Sequence, residues 1–213
     1  MIQRRVVQIG AALLALSLAS ACSVLPESAP TTFYQLPTPQ LEPNQAQPMR
    51  LSLRITTPDA SYALQTPRIM VSPDENTINS YEGARWSDPN TALMREHLIQ
   101  AFQQDGSFRT VSNESHALQA DVHLYSDLRQ FQTRYVDGVP EIAVTLDAKL
   151  VDPTSRQVIA ARHFQLTREL DSPEVPAVVA GLGAASDELA RELISWSRTS
   201  LARLDAARVA EQP

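Results

Sequence analysis

The residue best placed for a defined chemical reaction is Cys22, the single cysteine of the chain. A short basic start with Arg4 and Arg5 precedes it, followed by an apolar run over residues 9–18 and the small residues Ala19, Ser20 and Ala21. This order is typical of a secretory signal that ends at a small-residue cleavage site. The pattern is similar to a lipobox, with Ala19 where leucine is commonest. It predicts cleavage between Ala21 and Cys22 and a thioether from the Cys22 thiol to diacylglycerol.

The same residues have two other interpretations. A transmembrane helix needs about 20 consecutive apolar residues, and residues 9–21 are too few before the polar, proline-rich sequence that follows. An ordinary cleaved signal ahead of a buried structural cysteine stays open as the alternative. In the lipid-anchored interpretation, diacylglycerol and an N-acyl chain on Cys22 hold the protein on a membrane, since two acyl chains already suffice for stable attachment.

The rest of the chain offers no convincing catalytic, cofactor-binding or metal-binding site. No G-x-S-x-G nucleophile motif is present, and residues 181–186 only loosely resemble a dinucleotide fingerprint because no strand precedes them. The carboxylate pairs Asp121/Asp127 and Asp147/Asp152 are expected to be solvated. The four histidines, His97, His116, His123 and His163, form no H-x-x-x-H or H-x-E pair, and His123 and His163 are each expected at a surface or edge position. We therefore expect a protein that is not an enzyme and has no cofactor.

Charge and cysteine content exclude further classes of function. The chain carries a net charge of -6, and removal of residues 1–21 would make it more negative because they contain two arginines and no acid. An acidic chain is poorly suited to nucleic acid, whose binding depends on neutralising phosphates. Lipid on Cys22 would leave no thiol for a disulfide or a thiolate metal site.

The sequence predicts four segments around these residues. Residues 1–21 form the signal peptide, and residues 22–48 contain the lipidated cysteine and a linker with six of the 15 prolines. Such composition favours extended chain, although the segment Phe33–Leu36 could be a short strand or a docked clamp. Residues 49–198 form one α/β domain, and residues 199–213 form a helical or frayed tail.

Periodicity predicts the elements within the domain. Strands are expected at residues 51–55, 68–72, 77–81, 108–111, 118–125, 142–150 and 157–167, with a hairpin turn at Asp137-Gly138. One helix is expected to start at Ser87-Asp88-Pro89 with a capping side chain and to stop at Asp105-Gly106. A long helix should run from about residue 173 to residue 208, fraying beyond Arg198.

Four residues are candidates for binding a partner protein because aromatic and arginine side chains are enriched in interface cores: Tyr34, Tyr81, Arg85 and Trp86. Two interpretations of Trp86 stay open. It is either a core residue over the start of the first helix or an exposed contact for protein or lipid.

The order of these features resembles the ABC-type transport auxiliary lipoprotein family, the PqiC-like group. The lipobox comes first, then the aromatic segment Phe33-Tyr34-Gln35-Leu36, and then residues 64–71, which are similar to the family's leucine-x-x-proline stretch. Tyr81 with Arg85-Trp86-Ser87-Asp88-Pro89 resembles the signature at the head of the family's first helix, and the terminal helix also corresponds. The resemblance covers about residues 31–196.

The resemblance implies an α/β fold: a single three-layer domain with a mixed, largely antiparallel sheet and two main helices, similar to the N-terminal domain of TolB. It implies a non-catalytic accessory component of a lipid transport system built from an ABC ATPase, a permease and a mammalian-cell-entry (MCE) domain protein. The implied partners are that MCE-domain protein and further copies of the chain. Ser23, in place of aspartate after the lipidated cysteine, implies the periplasmic face of the outer membrane.

Two alternatives to this role stay open at the level of sequence. The chain could be a lipoprotein cofactor that activates or stabilises another envelope complex without a role in lipid transport. It could also carry lipid directly, which would need an apolar cavity of some hundreds of Å³.

Overall fold

A computed structural model describes residues 30–116 and 118–211. The strands and helices follow one another in this order: β1 (Thr32–Tyr34), β2 (Met49–Ile55), β3 (Asp59–Ala60), β4 (Arg68–Asp74), β5 (Thr77–Trp86), α1 (Asn90–Asp105), β6 (Phe108–Ser112), a 3-10 turn (Glu114–His116), β7 (Val122–Val136), β8 (Val139–Val151), β9 (Val158–Glu169) and α2 (Val175–Glu211).

The long strand β7 organises the sheet. Along one edge it pairs in parallel with β2, β3 and β4 in turn, and along the other it pairs antiparallel with β8, which continues to β9. β6 adds to β2 in parallel, β5 adds to β4 antiparallel, and β1 adds to β5 in parallel. The predicted mixed sheet is confirmed, and its longest ladders, β7–β8 and β8–β9, are antiparallel.

Both helices lie on the same face of this sheet. α2 packs against β2, β7, β8 and β9, and α1 packs against β2, β6 and α2 itself. Because the helices contact each other and share β2, they form one layer beside the sheet. Together with the sheet they form the mixed α/β domain that the resemblance implied. The two main helices themselves are as expected.

The Asp137-Gly138 turn is confirmed. Asp137 has φ 51° and Gly138 has φ 80°, the left-handed values that a tight two-residue hairpin requires. The start predicted for β7 was wrong, since the strand begins at Val122 and Leu118 is 57% exposed. Alternation over residues 118–125 shows which side chains share a face, but the neighbouring strand β2 reaches only residues 122–124.

The ends of α1 differ in how well the sequence describes them. Gly106 ends the helix in the left-handed conformation, with φ 71° and its N–H bonded to the Phe102 carbonyl, as the Asp-Gly pair predicts. At the other end Pro89 occupies the N-cap position and no side chain caps the helix. The expected capping side chain is therefore not observed.

The proline-rich stretch is built into the fold. Thr32–Tyr34 is a strand of the sheet, and the segment that follows, residues 35–48, packs on the helices and is called the arm below. Pro39 is buried and Leu36 and Leu41 pack against the core. The Asn44 N–H donates to the Asp105 carbonyl at 2.8 Å. The arm is thus docked chain rather than free linker.

At the other terminus, α2 continues without a break to Glu211, and Leu201 is fully buried. The fraying expected beyond Arg198 does not occur, because the apolar stripe of the helix extends past that residue. No helix in the described part of the chain is both long enough and apolar enough to cross a membrane.

Candidate functional site

The lipobox lies outside the described residues. Cleavage between Ala21 and Cys22 and lipidation of Cys22 therefore stay predictions. The structure does define where the tether would join the fold, since β1 begins at Thr32, ten residues after Cys22.

The pairing of β1 with β5 brings three of the four candidate partner residues together. Tyr34 lies opposite Trp86, and Phe33 lies opposite Arg85. The Ser87 N–H donates to the Tyr34 carbonyl at 2.8 Å, which continues the pairing past the end of β5. The signature around residues 81–89 and the aromatic segment near the linker thus form one local structure.

Trp86 is a core residue. Its side chain is 0% exposed, and its ring lies 6.1 Å from the ring of Phe131 between centroids. The interpretation of Trp86 as an exposed contact was therefore wrong, and the core interpretation is confirmed. Alternation along β5 places Arg85 on the opposite face of the sheet, where it is exposed.

Arg85 belongs to a surface on the sheet face that the helices leave uncovered. Arg68 on β4 lies directly opposite Arg85, and a groove of about 520 Å³ beside it is lined by Arg68, Tyr62 and Ile78. Phe33 is 67% exposed, Tyr62 84% and Ile78 47%. We call Phe33, Tyr62, Arg68, Ile78 and Arg85 the edge surface.

Sequence reasoning singled out only Arg85 among these five residues. Phe33 lies in the aromatic segment at residues 33–36, directly before the candidate residue Tyr34, and this position could have identified it as a further candidate. Tyr62 and Arg68 carried no such signal, because only the β4–β5 pairing brings them beside Arg85.

Tyr81 lies apart from the edge surface, in a groove of about 980 Å³ between the β4–β5 and β7–β8 hairpins. Tyr135, Val136 and Pro73 contribute apolar surface to this hairpin groove, and acidic side chains are present as well: Asp74, Glu75 and Asp137. Burial raises the pKa of Tyr81, so its hydroxyl stays protonated at neutral pH and can donate a hydrogen bond.

His97 is buried between the two helices. Its Nε2 lies 3.0 Å from Asp187 Oδ1 between α1 and α2. Burial lowers the pKa of His97, although Asp187 and hydrogen bonds to the backbone of Pro37 and Ser186 act in the opposite direction. The other carboxylate oxygen of Asp187 accepts the Gln40 N–H at 3.3 Å. The pair therefore joins both helices to the arm.

The glycine-rich segment of α2 serves packing, as its place in the apolar stripe of the helix predicted. A Cβ on Gly181 would lie 2.8 Å from Leu170 Cδ2, and one on Gly183 would lie 2.7 Å from Pro37 Cγ. Gly183 thus admits the proline ring of the arm, and Gly181 admits the chain that leads into the helix.

The carboxylates considered as acid–base pairs are engaged with basic or hydroxyl groups. Burial acts to raise the pKa of Asp121, but hydrogen bonds from Ser52 and the charges of Arg208 and Arg109 lower it overall. Hydrogen bonds from His163 and then from Arg129 lower the pKa of Asp147. Both groups are therefore ionised at neutral pH and stabilise surface ion pairs. In the described ranges, no group of three or more potential ligand side chains is arranged to hold a metal ion.

The grooves of the domain can be compared with the cavity that it would need to carry a lipid inside itself. A further groove of about 780 Å³ lies between the arm and α2 and is lined by charged residues, among them Glu42, Arg191 and Asp205. This groove, the hairpin groove and the groove of the edge surface all open to solvent. None of the three is the enclosed apolar cavity that carrying a lipid inside the domain would need.

The sequence matches one protein family and is similar to a known protein. Residues 34–194 match the family model described as "ABC-type transport auxiliary lipoprotein component". The uncharacterized protein bll6063 of Bradyrhizobium diazoefficiens is 32% identical over 164 residues, which cover 77% of this chain and 44% of that protein. The chain thus spans less than half the length of this curated relative.

Solved structures share the fold. The crystal structure of protein XCC0632 from Xanthomonas campestris is 28% identical, with a TM-score of 0.76 over 83% of this chain and 99% of that chain. A second crystal structure, of an uncharacterized protein, is 17% identical with a TM-score of 0.60 over 78% of this chain and 97% of that chain, and it supports the fold alone. The resemblance noted in the sequence is confirmed, and the chain belongs to the family of ABC-type transport auxiliary lipoprotein components.

Proposed function

We propose that this protein is a lipid-anchored, non-catalytic accessory component of an ABC-type transport system that moves lipids or other hydrophobic molecules between membranes. In this proposal it stands on the periplasmic face of the outer membrane and receives the MCE-domain protein of the system. The family supports an auxiliary role alongside an ABC-type transporter. The MCE-domain partner, the position at the outer membrane and a homo-oligomeric assembly are further parts of this proposal.

The observation that carries the proposal is the way the tether enters the fold. β1 and the arm fix residues 32–48 on the domain, so only residues 23–31 separate Cys22 from the sheet. Extended chain reaches about 3.3–3.6 Å per residue, and the lipid would therefore hold the domain within about 35 Å of the bilayer. Such a short tether suits a protein that is held at one place on a membrane and binds a partner there.

The hairpin groove is the proposed docking site for the MCE-domain protein. Tyr135 and Tyr81, which is partly exposed although its hydroxyl is buried, offer large aromatic side chains, a type enriched among residues that dominate binding energy. Asp74, Glu75 and Asp137 place negative charge around them. This combination favours a partner segment with apolar anchors flanked by basic residues.

Crosslinking and recovery from membranes test this role. Wild-type protein is expected to recover an MCE-domain protein, identified by mass spectrometry, and Tyr81→Ala is expected to reduce that recovery at least several-fold. Tyr125→Ala is the matched control, because Tyr125 is a 44% exposed tyrosine of β7 outside the hairpin groove. Recovery of another envelope complex without any MCE-domain protein would instead support the activating-cofactor role.

Localisation is tested through Ser23. With lipid on Cys22 and serine beside it, the wild-type protein is expected in the outer-membrane fraction of a density gradient. Ser23→Asp should move it to the inner-membrane fraction, and Cys22→Ala should release it into the soluble periplasmic fraction. A wild-type protein found in the inner membrane would contradict the proposed position.

A further inference from the structure

We infer that the edge surface is a membrane-contact surface that lies on the headgroups of a phospholipid bilayer. The inference rests on the anchor at Cys22 but not on the MCE-domain partner. Three observations carry it: the composition of the surface, the free state of its two arginines, and its position next to the point where the tether joins the fold.

The composition of the edge surface fits the interface of a bilayer. Aromatic side chains settle at the level of the headgroups, where an apolar ring and a polar environment meet. Among residues 30–116 and 118–211, Phe33 and Tyr62 are the most exposed large hydrophobic residues, at 67% and 84%, and Ile78 adds an aliphatic side chain to the same surface. Exposed apolar groups of this kind indicate a contact site when they occur together.

The two guanidinium groups supply the matching charge. Arg68 and Arg85 lie opposite each other on β4 and β5, and neither forms an ion pair within residues 30–116 and 118–211. Several other arginines of the described chain are paired, for example Arg129 with Asp147. Glu82 is the single acid of β5, so the positive charge is only partly offset. Guanidinium binds phosphate oxygens in bidentate geometry, and phosphate is the group that a phospholipid presents.

The position of the surface brings it to the bilayer. Phe33 belongs to β1 itself, and Arg85 is its direct neighbour across the β1–β5 pairing. Nine residues, 23–31, lie between the lipidated cysteine and β1, a span of at most about 35 Å when fully extended. The tether therefore joins the fold directly beside this surface, whereas the β8–β9 turn lies away from it, at the start of β7 beside residues 122–124.

A depth measurement tests the orientation. Lipidation uses the single native thiol, so Tyr62→Cys provides one thiol for a fluorophore on the lipidated protein in vesicles of phosphatidylethanolamine and phosphatidylglycerol. Quenching by lipids that carry a nitroxide near the headgroup is expected to be at least threefold stronger there than for Ser155→Cys, an exposed control in the β8–β9 turn. Equal quenching at the two positions would overturn the inference.

A second measurement does not depend on the anchor. The mature chain with Cys22→Ala is mixed with the same vesicles at low ionic strength, and bound protein is measured by flotation. The Arg68→Gln/Arg85→Gln double variant should bind at least fivefold more weakly. Arg191→Gln/Arg203→Gln, two exposed arginines of α2 on the helix side, removes the same charge and should leave binding unchanged. Equal weakening by both pairs would show a net-charge effect and contradict a defined surface.

The outcomes separate this inference from the proposed function. If Arg68→Gln/Arg85→Gln leaves vesicle binding intact but prevents recovery of the MCE-domain protein, the edge surface is a protein interface and the inference is wrong. If the quenching and flotation differences are both observed but the wild-type protein recovers no MCE-domain protein, the membrane contact is supported and the proposed partner is wrong.

Discussion

The contact between the arm and α2 makes a prediction that can be worked from distances. In Gly183→Ala, the new Cβ would lie 2.7 Å from Pro37 Cγ, 2.9 Å from its Cβ and 3.0 Å from its Cδ. Real Cβ atoms are almost never found that close to another heavy atom, and a proline ring cannot rotate away. The arm must therefore move off the helix at this point.

Two opposing terms set the magnitude. Replacing glycine by alanine in a helix interior stabilises the helix by about 1 kcal/mol. Overpacking a close contact costs about 1–3 kcal/mol. The added helix stability applies to α2, whereas the cost of overpacking applies to the contact with the arm. The global free energy of unfolding should therefore change by at most about 2 kcal/mol. Local opening of the arm should become about 5- to 150-fold more frequent, since 1.4 kcal/mol is a factor of ten.

Hydrogen exchange with mass spectrometry measures the two terms separately. Peptides containing the amides of Gln40, Leu41 and Asn44, which bond to Asp187, Gln104 and Asp105, should exchange faster in Gly183→Ala. Peptides from β7 and β8 should not. Unchanged exchange in the arm, or equal acceleration throughout the sheet, would refute the reasoning.

Two further variants sharpen the experiment. Gly181→Ala makes the same chemical change two residues away, but its Cβ meets Leu170 and Ile142 rather than the arm, so arm exchange should stay at the wild-type rate. Pro37→Gly removes the ring, and adding Gly183→Ala to that background should bring no further acceleration. A double-mutant cycle without this coupling would mean that the two residues act independently.

Two more predictions concern buried residues. Burial lowers the pKa of His97 from 6.5, so the unfolded chain takes up the proton first as the pH falls. The free energy of unfolding should therefore decrease below about pH 6.5, by up to about 1.4 kcal/mol per pH unit. Urea denaturation between pH 7.5 and 5 should show a flatter dependence on pH for His97→Gln than for the wild-type protein. Trp86→Ala should lower the free energy of unfolding by about 3–5 kcal/mol because it empties a core site. Trp86→Phe should cost much less, since the indole N–H has no hydrogen-bond partner within the described residues; equal losses for the two variants in denaturation experiments would contradict this assignment.

Local patterns in the sequence predicted most of the sheet. Alternation located β2, β8 and β9, and the Asp137-Gly138 pair located the turn between the two longest strands, because these signals act over a few neighbouring residues. The same reasoning misplaced the start of β7. A strand needs a partner as well as a pattern, and β2 pairs with β7 only from Val122 onward.

The features that define the candidate surfaces depend on contacts distant in sequence. His97 meets Asp187 across 90 positions, and Pro37 meets Gly183 across a still longer interval. Proline-rich composition predicted extended chain and the arm is indeed without regular structure, but composition does not reveal which surface an extended chain packs on. For the same reason, the neighbours of Arg85 became visible only with the β1–β5 and β4–β5 pairings.

The order of the two attachments along the chain determines how far the domain could move from its lipid. β1 comes first after residues 23–31 and pairs with β5 over three residues only, and the docked arm follows it. Loss of arm contacts alone, as in Gly183→Ala, therefore leaves the reach at about 35 Å, because β1 still holds the chain. Only when both β1 and the arm are released does the free chain extend to Met49 and a reach of about 90 Å. A partner that pulls on the domain must therefore separate both β1 and the arm before the domain can move more than about 35 Å from its lipid.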